Sequence, residues 1–385
     1  MKVLIEKIVP GGQGLGTLED GKKVFLWNAL PGEVVTDFLV TKKKSHYLEG
    51  VAREFEKTAP ERVGARDECY LSTSPWQVFD YEFELAQKRE LVLESLRQEQ
   101  ITGVEVEAVR TDGKEWGYRN KMEYALYYDH NTVKIWPAFH ERGSHRKRLV
   151  RQSSIERPEI FWRAMEVVED LNARGEEARR YQSLLLRASA DGKVAGGLYE
   201  NGKPHPVFEN LHDEILGREY SYSPNGFFQI NLPVYEMALL EIQREVKTEK
   251  VLDLYAGVGT IGLSVARERD LTLVECNKEA FRELERNVSD TGARAVMAKS
   301  EEALEYIAPE MTVILDPPRA GCDKKLISRL LEQVPERVIY LSCNPATQAR
   351  DVRALGEKYI MERIIPFNFF PKTPHIENLI IMRRI

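Results

Sequence analysis

A cysteine at the end of an apolar run is the residue of this chain best suited to nucleophilic chemistry. Cys343 follows the run 338–341, whose short and β-branched character predicts a buried strand. Pro345 then marks the first turn of a helix over ATQARDVRALG. A sulfur beside a helix N-terminus is favoured as the thiolate. Free cysteines are also common small core residues, so Cys343 alone leaves a purely structural role open.

Three further polar side chains lie at predicted strand ends in the same half of the chain. The segment ILDPPRAGC places Asp316 at the end of a strand and Arg319 in the next loop, which the two prolines stiffen. Glu377 directly precedes the last apolar stretch, NLIIM. A glutamate is usually an exposed surface residue, so Glu377 indicates a functional site only in combination with the other polar residues at strand ends. Because ligands bind at the carboxyl edge of parallel sheets, we expect these side chains to share one site with Cys343.

A glycine-rich turn lies between an apolar strand and a helix in VLDLYAGVGTIGLSVA. Gly257, Gly259 and Gly262 have the spacing of a dinucleotide-binding fingerprint. Glu275 ends the next apolar run, LTLVE, where a carboxylate suits a pair of ribose hydroxyls. The pattern predicts a nucleotide-like cofactor that approaches the protein backbone closely, and such an approach requires glycine.

The identity of this cofactor is open on the turn alone, because NAD and S-adenosylmethionine make similar demands. Asp253, in the strand before the glycines, favours S-adenosylmethionine, since a carboxylate can balance its charged amino group. An NAD-dependent oxidoreductase is the main alternative from another class, although Asp-Pro-Pro-Arg has no role in hydride transfer. A non-catalytic RNA-binding protein is a further alternative, and it would have no need of Cys343.

The composition fits a multidomain enzyme with no membrane segment. The 385 residues are 43% hydrophobic and carry a net charge of -6, so RNA binding would need local basic surface. The four cysteines include no CxxC pair, which argues against a zinc or iron–sulfur site with local ligand spacing. The N-terminal segment lacks the apolar region of a signal peptide. We expect a cytoplasmic protein without a bound metal, and a monomer.

Three segments differ in pattern. Residues 1–58 show short β-rich runs between Gly-rich turns, which predict a small barrel of the OB type. A basic cluster at 42–44 favours RNA contact for this barrel. The alternative is a β-meander that serves as an oligomerisation arm. Residues 59–216 combine one predicted helix with predicted strands. From residue 217 to 385, strands and helices alternate, which predicts a mainly parallel sheet.

The middle segment holds a basic stretch with interleaved aromatic residues. Residues 119–151 contain eight Lys or Arg against three Asp or Glu. Such a surface suits phosphate contact with base stacking, although a solvated strand pair with inward aromatics explains it equally well. The basic residues predicted to contact RNA are Arg119, Lys121, Arg142, Arg146, Lys147 and Arg148.

Residues 217–385 resemble the catalytic domain of the RNA uracil-5-methyltransferases. The resemblance is carried, in family order, by SPNGFFQIN, DLYAGVGTIG, VECN, DPPRAG, LSCNP and TPHIEN. The segment IEKIVPGGQGLGTLEDGKKVFLWNALPGE resembles the TRAM domain, an OB-like RNA-binding module, and YRNKMEY and FHERGSHR resemble the family's central domain. The implied architecture is multidomain: an N-terminal OB-like β-barrel at 1–58, a central α+β RNA-binding domain at 59–216, and a C-terminal α/β, Rossmann-like class I methyltransferase domain at 217–385.

The resemblance also implies roles for single residues. Cys343 matches the nucleophile, Glu377 the base that removes the carbon-5 proton, Asp316 the contact to the target uracil, and Arg319 its neighbour. Phe227 matches a ring that packs on the flipped base. The cofactor contacts that it implies are Gln229, Asp253, Tyr255, Gly257, Gly259, Glu275 and Asp316.

The chain departs from the family pattern at the cysteines of an iron–sulfur cluster. Many relatives carry four, whereas ERVGARDECYLSTSPWQ keeps only Cys69. We therefore expect S-adenosylmethionine as the cofactor and no cluster. The TRAM-like domain favours 23S ribosomal RNA as the substrate, with tRNA as the alternative. Cytosine-5 enzymes use similar chemistry, but their nucleophile usually follows Pro or Thr, and here Ser342 precedes it.

Overall fold

The computed structural model describes residues 2–142, 144, 146–151, 153–205 and 208–385, and for 176–178 the backbone alone. Residues 143 and 145 of the segment FHERGSHR therefore lie outside the described residues. Within the described ranges, no helix is long and apolar enough to cross a membrane.

The N-terminal strands close into a small barrel. Each strand pairs with two neighbours in the order β1-β2-β3-β5-β4, and β1 pairs with β4 to close the ring. Alternate residues such as Val3, Ile5, Val24 and Leu26 fill the interior, because successive side chains of a strand point to opposite faces. The strands are β1 (Val3–Ile8), β2 (Gly14–Thr17), β3 (Lys23–Trp27), β4 (Val34–Lys43) and β5 (Tyr47–Lys57).

Two helices follow the barrel, α1 (Tyr70–Thr73) and α2 (Tyr81–Gln98). Asp80 caps α2, since its side chain accepts the N–H groups of residues 82 and 83. Val92 and Leu96 of α2 pack in the core of the C-terminal sheet and not on the central sheet. Part of the segment assigned by sequence to the central domain thus packs against the C-terminal one, and the domain limits at 58 and 216 remain a prediction.

The central sheet has six antiparallel strands in the order β11-β10-β9-β6-β7-β8. Its strands are β6 (Lys121–Asp129), β7 (Lys134–His140), β8 (Lys147–Leu149), β9 (Tyr181–Ala188), β10 (Val194–Glu200) and β11 (Lys203–His205). Helix α3 (Pro158–Arg174), which a 3₁₀ turn (Gly175–Arg180) follows, packs on this sheet. The buried Ile160, Ala164, Val168 and Leu171 of α3 recur at helical spacing, which gives the helix one apolar face.

A hairpin of β12 (Leu211–Ile215) and β13 (Arg218–Tyr222) leads into the C-terminal sheet, whose order is β16-β15-β14-β17-β18-β20-β19. Six strands run in the same direction, and β20 lies antiparallel between β18 and β19. The strands are β14 (Lys250–Leu254), β15 (Asp270–Glu275), β16 (Arg294–Met297), β17 (Met311–Leu315), β18 (Arg337–Ser342), β19 (Tyr359–Phe367) and β20 (Glu377–Arg384).

Helices and 3₁₀ turns connect these strands and cover both faces of the sheet, so β17 and β18 are buried along their whole length, as expected for central parallel strands. The connecting helices are α4 (Leu232–Glu245), α5 (Thr260–Val265), α6 (Lys278–Val288), α7 (Lys324–Gln333) and α8 (Pro345–Leu355), and the 3₁₀ turns are Ser300–Glu302 and Leu304–Tyr306. The predicted strand-to-helix corner at Cys343 is therefore the junction of β18 and α8.

Candidate active site

The corner between β18 and α8 holds Cys343 beside the Asp-Pro-Pro-Arg loop. The Ser342 hydroxyl accepts the Asn344 N–H at 3.1 Å, which tightens the turn. The Asn344 side chain caps α8 by accepting the Ala346 N–H at 3.3 Å, and its amide donates to the Arg319 carbonyl oxygen at 2.8 Å. Asn344 therefore joins the loop of Arg319 to the corner that carries the thiol, a role that sequence reasoning missed although LSCNP contains the residue.

The strand that carries Glu377 is fixed to this corner by a pair of buried amides. Ser342 and Asn378 are register partners of β18 and β20. Gln348 of α8 donates to the Asn378 carbonyl oxygen at 2.9 Å, and the Asn378 amide donates to the Gln348 side-chain oxygen at 2.7 Å. Glu377, only 5% exposed, thus lies at the same end of the sheet as Cys343.

The acidic groups of this site interact electrostatically. Burial raises the pKa of the Cys343 thiol to about 11, with smaller contributions from the negative charges of Glu377 and Asp316, whereas Arg319 lowers it. Burial and then Asp316 hold the pKa of Glu377 well above its usual range. Burial raises the pKa of Asp316 to about 7. The thiolate expected at a helix N-terminus is therefore not favoured in the free protein, because burial and two carboxyl groups outweigh the helix dipole and Arg319.

The glycine-rich turn between β14 and α5 has the backbone that a close ligand approach needs. Tyr255 (φ 66°), Gly257 (φ 59°) and Gly259 (φ 90°) all adopt left-handed conformations. A Cβ on Gly259 would lie 2.7 Å from the Leu284 side chain, so both the conformation and the packing demand glycine there. Tyr255 is the strained member, since a side chain with positive φ is uncommon.

Two carboxylates flank this turn. Asp253 is fully buried, and one of its oxygens accepts the Gly262 N–H at 2.8 Å. The other oxygen has no hydrogen-bond partner among the described residues, and burial raises the pKa of this carboxyl to about 8. Glu275 ends β15 and accepts the N–H groups of Gly257 at 2.8 Å and Asn277 at 2.6 Å. An orphaned buried acceptor beside a positive-φ turn fits a cofactor with a cationic amino group and a ribose.

The segment SPNGFFQIN forms a loop that presents Phe227 to solvent. Phe227 is 72% exposed, whereas Phe228 is buried and stacks on Tyr222 with ring centroids 3.8 Å apart. Gln229 is also buried, and its carbonyl oxygen accepts the Asn120 side-chain amide at 3.1 Å. An exposed aromatic ring on an anchored loop is suited to contact with a ligand's flat face.

Two cations of the central sheet hold this loop. Lys121 donates to the carbonyl oxygens of Asn225 at 3.0 Å and Gly226 at 3.3 Å. The fully buried Arg187 donates to Gly226 at 3.0 Å and Phe228 at 2.5 Å. Burial lowers the pKa of Lys121 to about 8. Lys121, predicted as an RNA contact, thus also binds the loop that carries Phe227, and sequence reasoning missed Arg187.

The other predicted RNA contacts are dispersed. The Arg119 guanidinium donates to the carbonyl oxygen of Lys121 at 2.9 Å. Arg142 lies over the Trp27 ring of the barrel, 4.1 Å from its centroid, and donates to the Leu71 carbonyl oxygen at 2.7 Å. Arg142 thus joins the barrel to the central domain, and none of these contacts tests RNA binding.

Arg146, Lys147 and Arg148 differ in how much of each remains free for a ligand. The Arg146 side chain is 78% exposed and lies 3.4 Å from Glu141. Lys147 donates to the Leu126 carbonyl oxygen at 2.7 Å, and Arg148 donates to the Glu68 carbonyl oxygen at 2.9 Å. Of these three, Arg146 is the side chain most available to a phosphate.

Cys69 packs in the hydrophobic core of the central domain, near the buried carboxylate of Asp67. The Asp67 carboxylate accepts the Ser154 hydroxyl at 2.6 Å and the Gln77 side-chain amide at 2.8 Å. Burial raises the pKa of the Cys69 thiol to about 12, so it is held as a neutral thiol. Across the described part of the chain, no group of three or more His, Cys, Asp or Glu side chains is placed to hold a metal ion.

Comparison with known families gives matches to three parts of the chain. Residues 303–385 match the tRNA (Uracil-5-)-methyltransferase family, residues 236–338 match the methyltransferase small domain, and residues 1–52 match the TRAM domain. The first of these segments contains Asp316, Arg319, Cys343 and Glu377.

Relatives match over nearly the whole chain. An uncharacterized RNA methyltransferase of Bacillus cereus is 26% identical, with 99% of this chain and 96% of that protein covered. Another from Halalkalibacterium halodurans is 28% identical over the same shares of both chains. The crystal structure of the Pyrococcus abyssi tRNA (uracil-54, C5)-methyltransferase in complex with S-adenosyl-L-homocysteine aligns with a TM-score of 0.78 at 25% identity, covering 99% of this chain and 100% of that chain.

These matches confirm the predicted fold, an N-terminal TRAM barrel with a C-terminal methyltransferase domain, and they favour a methyltransferase over an NAD-dependent oxidoreductase. The positive φ angles of the glycine-rich turn and the Asp253 oxygen that lacks a partner among the described residues agree with S-adenosylmethionine as the cofactor. The chain is thus an S-adenosylmethionine-dependent RNA methyltransferase whose residues 303–385 form a domain of the tRNA (uracil-5-)-methyltransferase family.

Proposed function

We propose that this protein methylates carbon 5 of a uridine in RNA through a covalent bond between Cys343 and carbon 6 of the base. The observation that supports this proposal most is that Ser342 pairs with Asn378, which brings Cys343 and Glu377 to one end of the sheet, where Asn344 also binds the loop of Arg319. A nucleophile, a base and a guanidinium are thereby available at one end of the sheet that also carries the cofactor turn.

The chemistry explains why a thiol is needed. Carbon 5 of uracil is a weak nucleophile, and addition of a sulfur at carbon 6 converts the ring into an enolate with charge at carbon 5. S-adenosylmethionine supplies the methyl group when it is bound. Cys343 forms the bond to carbon 6, and Arg319 lowers the pKa of this thiol and can donate to the developing enolate oxygen. The raised thiol pKa means that attack requires transfer of its proton to a neighbouring acceptor.

Release of the product requires a base. The methylated adduct retains a proton on carbon 5, and its removal lets the bond between carbon 6 and the sulfur break by elimination. Glu377 is buried and its pKa is raised, so its carboxylate holds a proton more tightly than a solvated glutamate does. It is the residue we assign to this step. Asp316, at the end of β17 and so one strand away from Cys343, is assigned to contact with the uracil ring.

The target base must leave its stack to reach this site. Phe227 offers an exposed ring on a loop anchored by Lys121, and stacking on an aromatic ring offsets part of the unstacking cost. We assign Gln229, Asp253, Tyr255, Gly257, Gly259 and Glu275 to the cofactor site, with Asp316 at its border.

Two variants test the mechanism. Cys343→Ala should abolish methyl transfer while S-adenosylmethionine still binds, and Cys276→Ala, at an exposed thiol, is the matched control. Glu377→Gln should form a methylated protein–RNA adduct that persists, seen as a slow band on a denaturing gel. Appreciable turnover by Cys343→Ala would sink the nucleophile assignment, and loss of turnover in Glu377→Gln without an adduct would remove Glu377 as the base.

Two RNAs are candidate substrates. The sequence favoured 23S ribosomal RNA on account of the TRAM domain. A tRNA is favoured by the alignment over the whole length of both chains with the Pyrococcus abyssi tRNA (uracil-54, C5)-methyltransferase, which includes the barrel region. Mapping 5-methyluridine in both RNAs from cells with and without the protein distinguishes them. We further propose that the enzyme acts as a monomer in the cytoplasm, where both RNAs occur.

A further inference from the structure

The loop between β19 and β20 ends at Glu377, and a buried glutamate of α2 holds it. Both carboxylate oxygens of Glu84 accept the backbone N–H of Lys372 at 3.0 Å. One of these oxygens also accepts the side-chain amide of Asn368 at 3.1 Å. Glu84 is 0% exposed, so these contacts are made without competition from water. One side chain of α2 thus binds the loop at two points.

Lys88, one turn further along α2, binds the same loop. Its ammonium lies 3.0 Å from Glu84 and donates to the Asn368 side-chain oxygen at 2.5 Å and to the Phe370 carbonyl oxygen at 3.0 Å. A pair of fully buried charges persists only when each has partners, and loss of one partner leaves the other uncompensated. The loop backbone and side chains supply those partners here.

The side chain of Lys372 completes the network. It donates to the Phe79 carbonyl oxygen at 2.9 Å, pairs with Glu115 at 2.7 Å and lies 3.7 Å from Glu84. Lys372 has a φ of 62°, a left-handed conformation that a non-glycine residue rarely adopts. Its N–H faces Glu84 in this conformation, so the carboxylate compensates part of the backbone strain.

The held segment lies next to the base in two ways. Asn368 directly follows Phe367, the register partner of Glu377 across β19 and β20. Lys372 lies in the same loop, shortly before Glu377. The loop can therefore move little between its contacts with α2 and Glu377, the first residue of β20.

We propose that Glu84 and Lys372 are positioning residues for Glu377, so that α2, outside the catalytic sheet, determines where the base stands. The inference depends on the proposed function, because it takes Glu377 as the group that removes the carbon-5 proton. Loosening the loop then slows product release while Cys343 still attacks. The expected signature is accumulation of the methylated adduct.

The test compares Glu84→Gln with Glu82→Gln, an exposed glutamate of the same helical turn, and with Glu377→Gln as the reference. The kcat, the KM for RNA and the steady-state fraction of protein linked to RNA are measured for each. Glu84→Gln should lower kcat at least tenfold and raise the adduct fraction several-fold, with KM and S-adenosylmethionine affinity within twofold of the parent. Glu82→Gln should match the parent protein.

A second variant covers the case in which Glu84→Gln does not fold. Lys372→Gln leaves Glu84 paired with Lys88 and keeps the backbone N–H of residue 372 for Glu84. It removes the ammonium contacts with the Phe79 carbonyl oxygen, Glu115 and Glu84, so it should fold and show a smaller adduct increase, about threefold. Suppose that Glu377→Gln accumulates the adduct, but folded Glu84→Gln or Lys372→Gln does not exceed the parent level. That result overturns this inference alone and leaves the proposed function standing. Absence of adduct in Glu377→Gln overturns the proposed function and the inference with it.

Discussion

Ser342 and Asn378 pair across β18 and β20, so the residue after Ser342 and the residue before Asn378 lie at the same end of the sheet. These residues are Cys343 and Glu377. Because β20 runs antiparallel to β18, the start of β20 lies beside the end of β18. The proposed nucleophile and the proposed base are thereby attached to adjacent strands of one sheet.

The amide pair below this edge should be important for stability. Gln348→Leu removes two bonds to Asn378 and one to the Tyr340 carbonyl oxygen, and a buried polar group left unpaired costs about 1–3 kcal/mol. Urea unfolding should show this loss. Gln98→Leu, on an exposed position of α2, is the control and should change the free energy of unfolding by less than about 0.5 kcal/mol. Equal effects in both variants would contradict the role of the pair.

The reactivity of Cys343 should depend steeply on pH. Its thiol pKa of about 11 means that the thiolate fraction rises about tenfold per pH unit through the neutral range. Alkylation by iodoacetamide, followed by mass spectrometry of the Cys343 peptide, should accelerate from pH 7 to pH 10 without a plateau. Arg319→Gln should slow it further at each pH, because the guanidinium lowers this pKa. A plateau near pH 7 would mean that the free protein already holds a thiolate.

Cofactor binding should be pH-dependent through Asp253. The pKa of this buried carboxyl is about 8 in the free protein, so it is mostly protonated at pH 6, whereas a cationic amino group favours the ionised form. Affinity for S-adenosylmethionine should therefore rise from pH 6 to pH 8, by at most about tenfold per unit. Calorimetry on Asp253→Asn should show weaker binding without this pH dependence. Asp270→Asn, at an exposed position of β15, should behave as the parent; a pH-independent affinity in the parent would reject the role of Asp253.

Local sequence signals predicted the elements that carry the chemistry. The glycine spacing at 257–262, the Pro345 helix start and the apolar run before Cys343 each depend on neighbours in sequence, and the structure has the turn, α8 and β18 where they were expected. The barrel followed from its turn-rich β pattern in the same way.

The supporting contacts could not be predicted, because they join residues distant in sequence. Glu84 meets Lys372 and Arg187 meets Phe228 only after the central segment has folded against the catalytic sheet. The elevated pKa of Cys343 was missed for the same reason: a helix N-terminus is visible in the sequence, whereas burial beside Glu377 and Asp316 is a property of the assembled fold.

The basic stretch should contribute to RNA affinity mainly through its exposed members. Arg146→Gln should weaken RNA binding at low salt and reduce the slope of log affinity against log salt by about 1, as expected for the loss of one phosphate contact. Lys147→Gln should change this slope less, since its ammonium is engaged with the Leu126 carbonyl oxygen. Filter binding at several salt concentrations measures both. An unchanged slope in Arg146→Gln would locate the RNA path elsewhere.

A buried carboxyl of the central domain should make folding stability pH-dependent. Glu156 is 2% exposed and accepts the Tyr124 hydroxyl, and burial raises its pKa from an ordinary value of 4.5 to about 7. The folded state therefore binds this proton more tightly than the unfolded state, so the stabilisation is complete below about pH 4.5 and is lost as the pH rises through about 7. Glutamine cannot ionise. Relative to the parent protein, Glu156→Gln should thus gain about 1–3 kcal/mol between pH 5 and pH 8 in urea unfolding. The exposed Glu169→Gln should show no such change, and a pH-independent difference for Glu156→Gln would show that the carboxyl is already ionised in the folded protein.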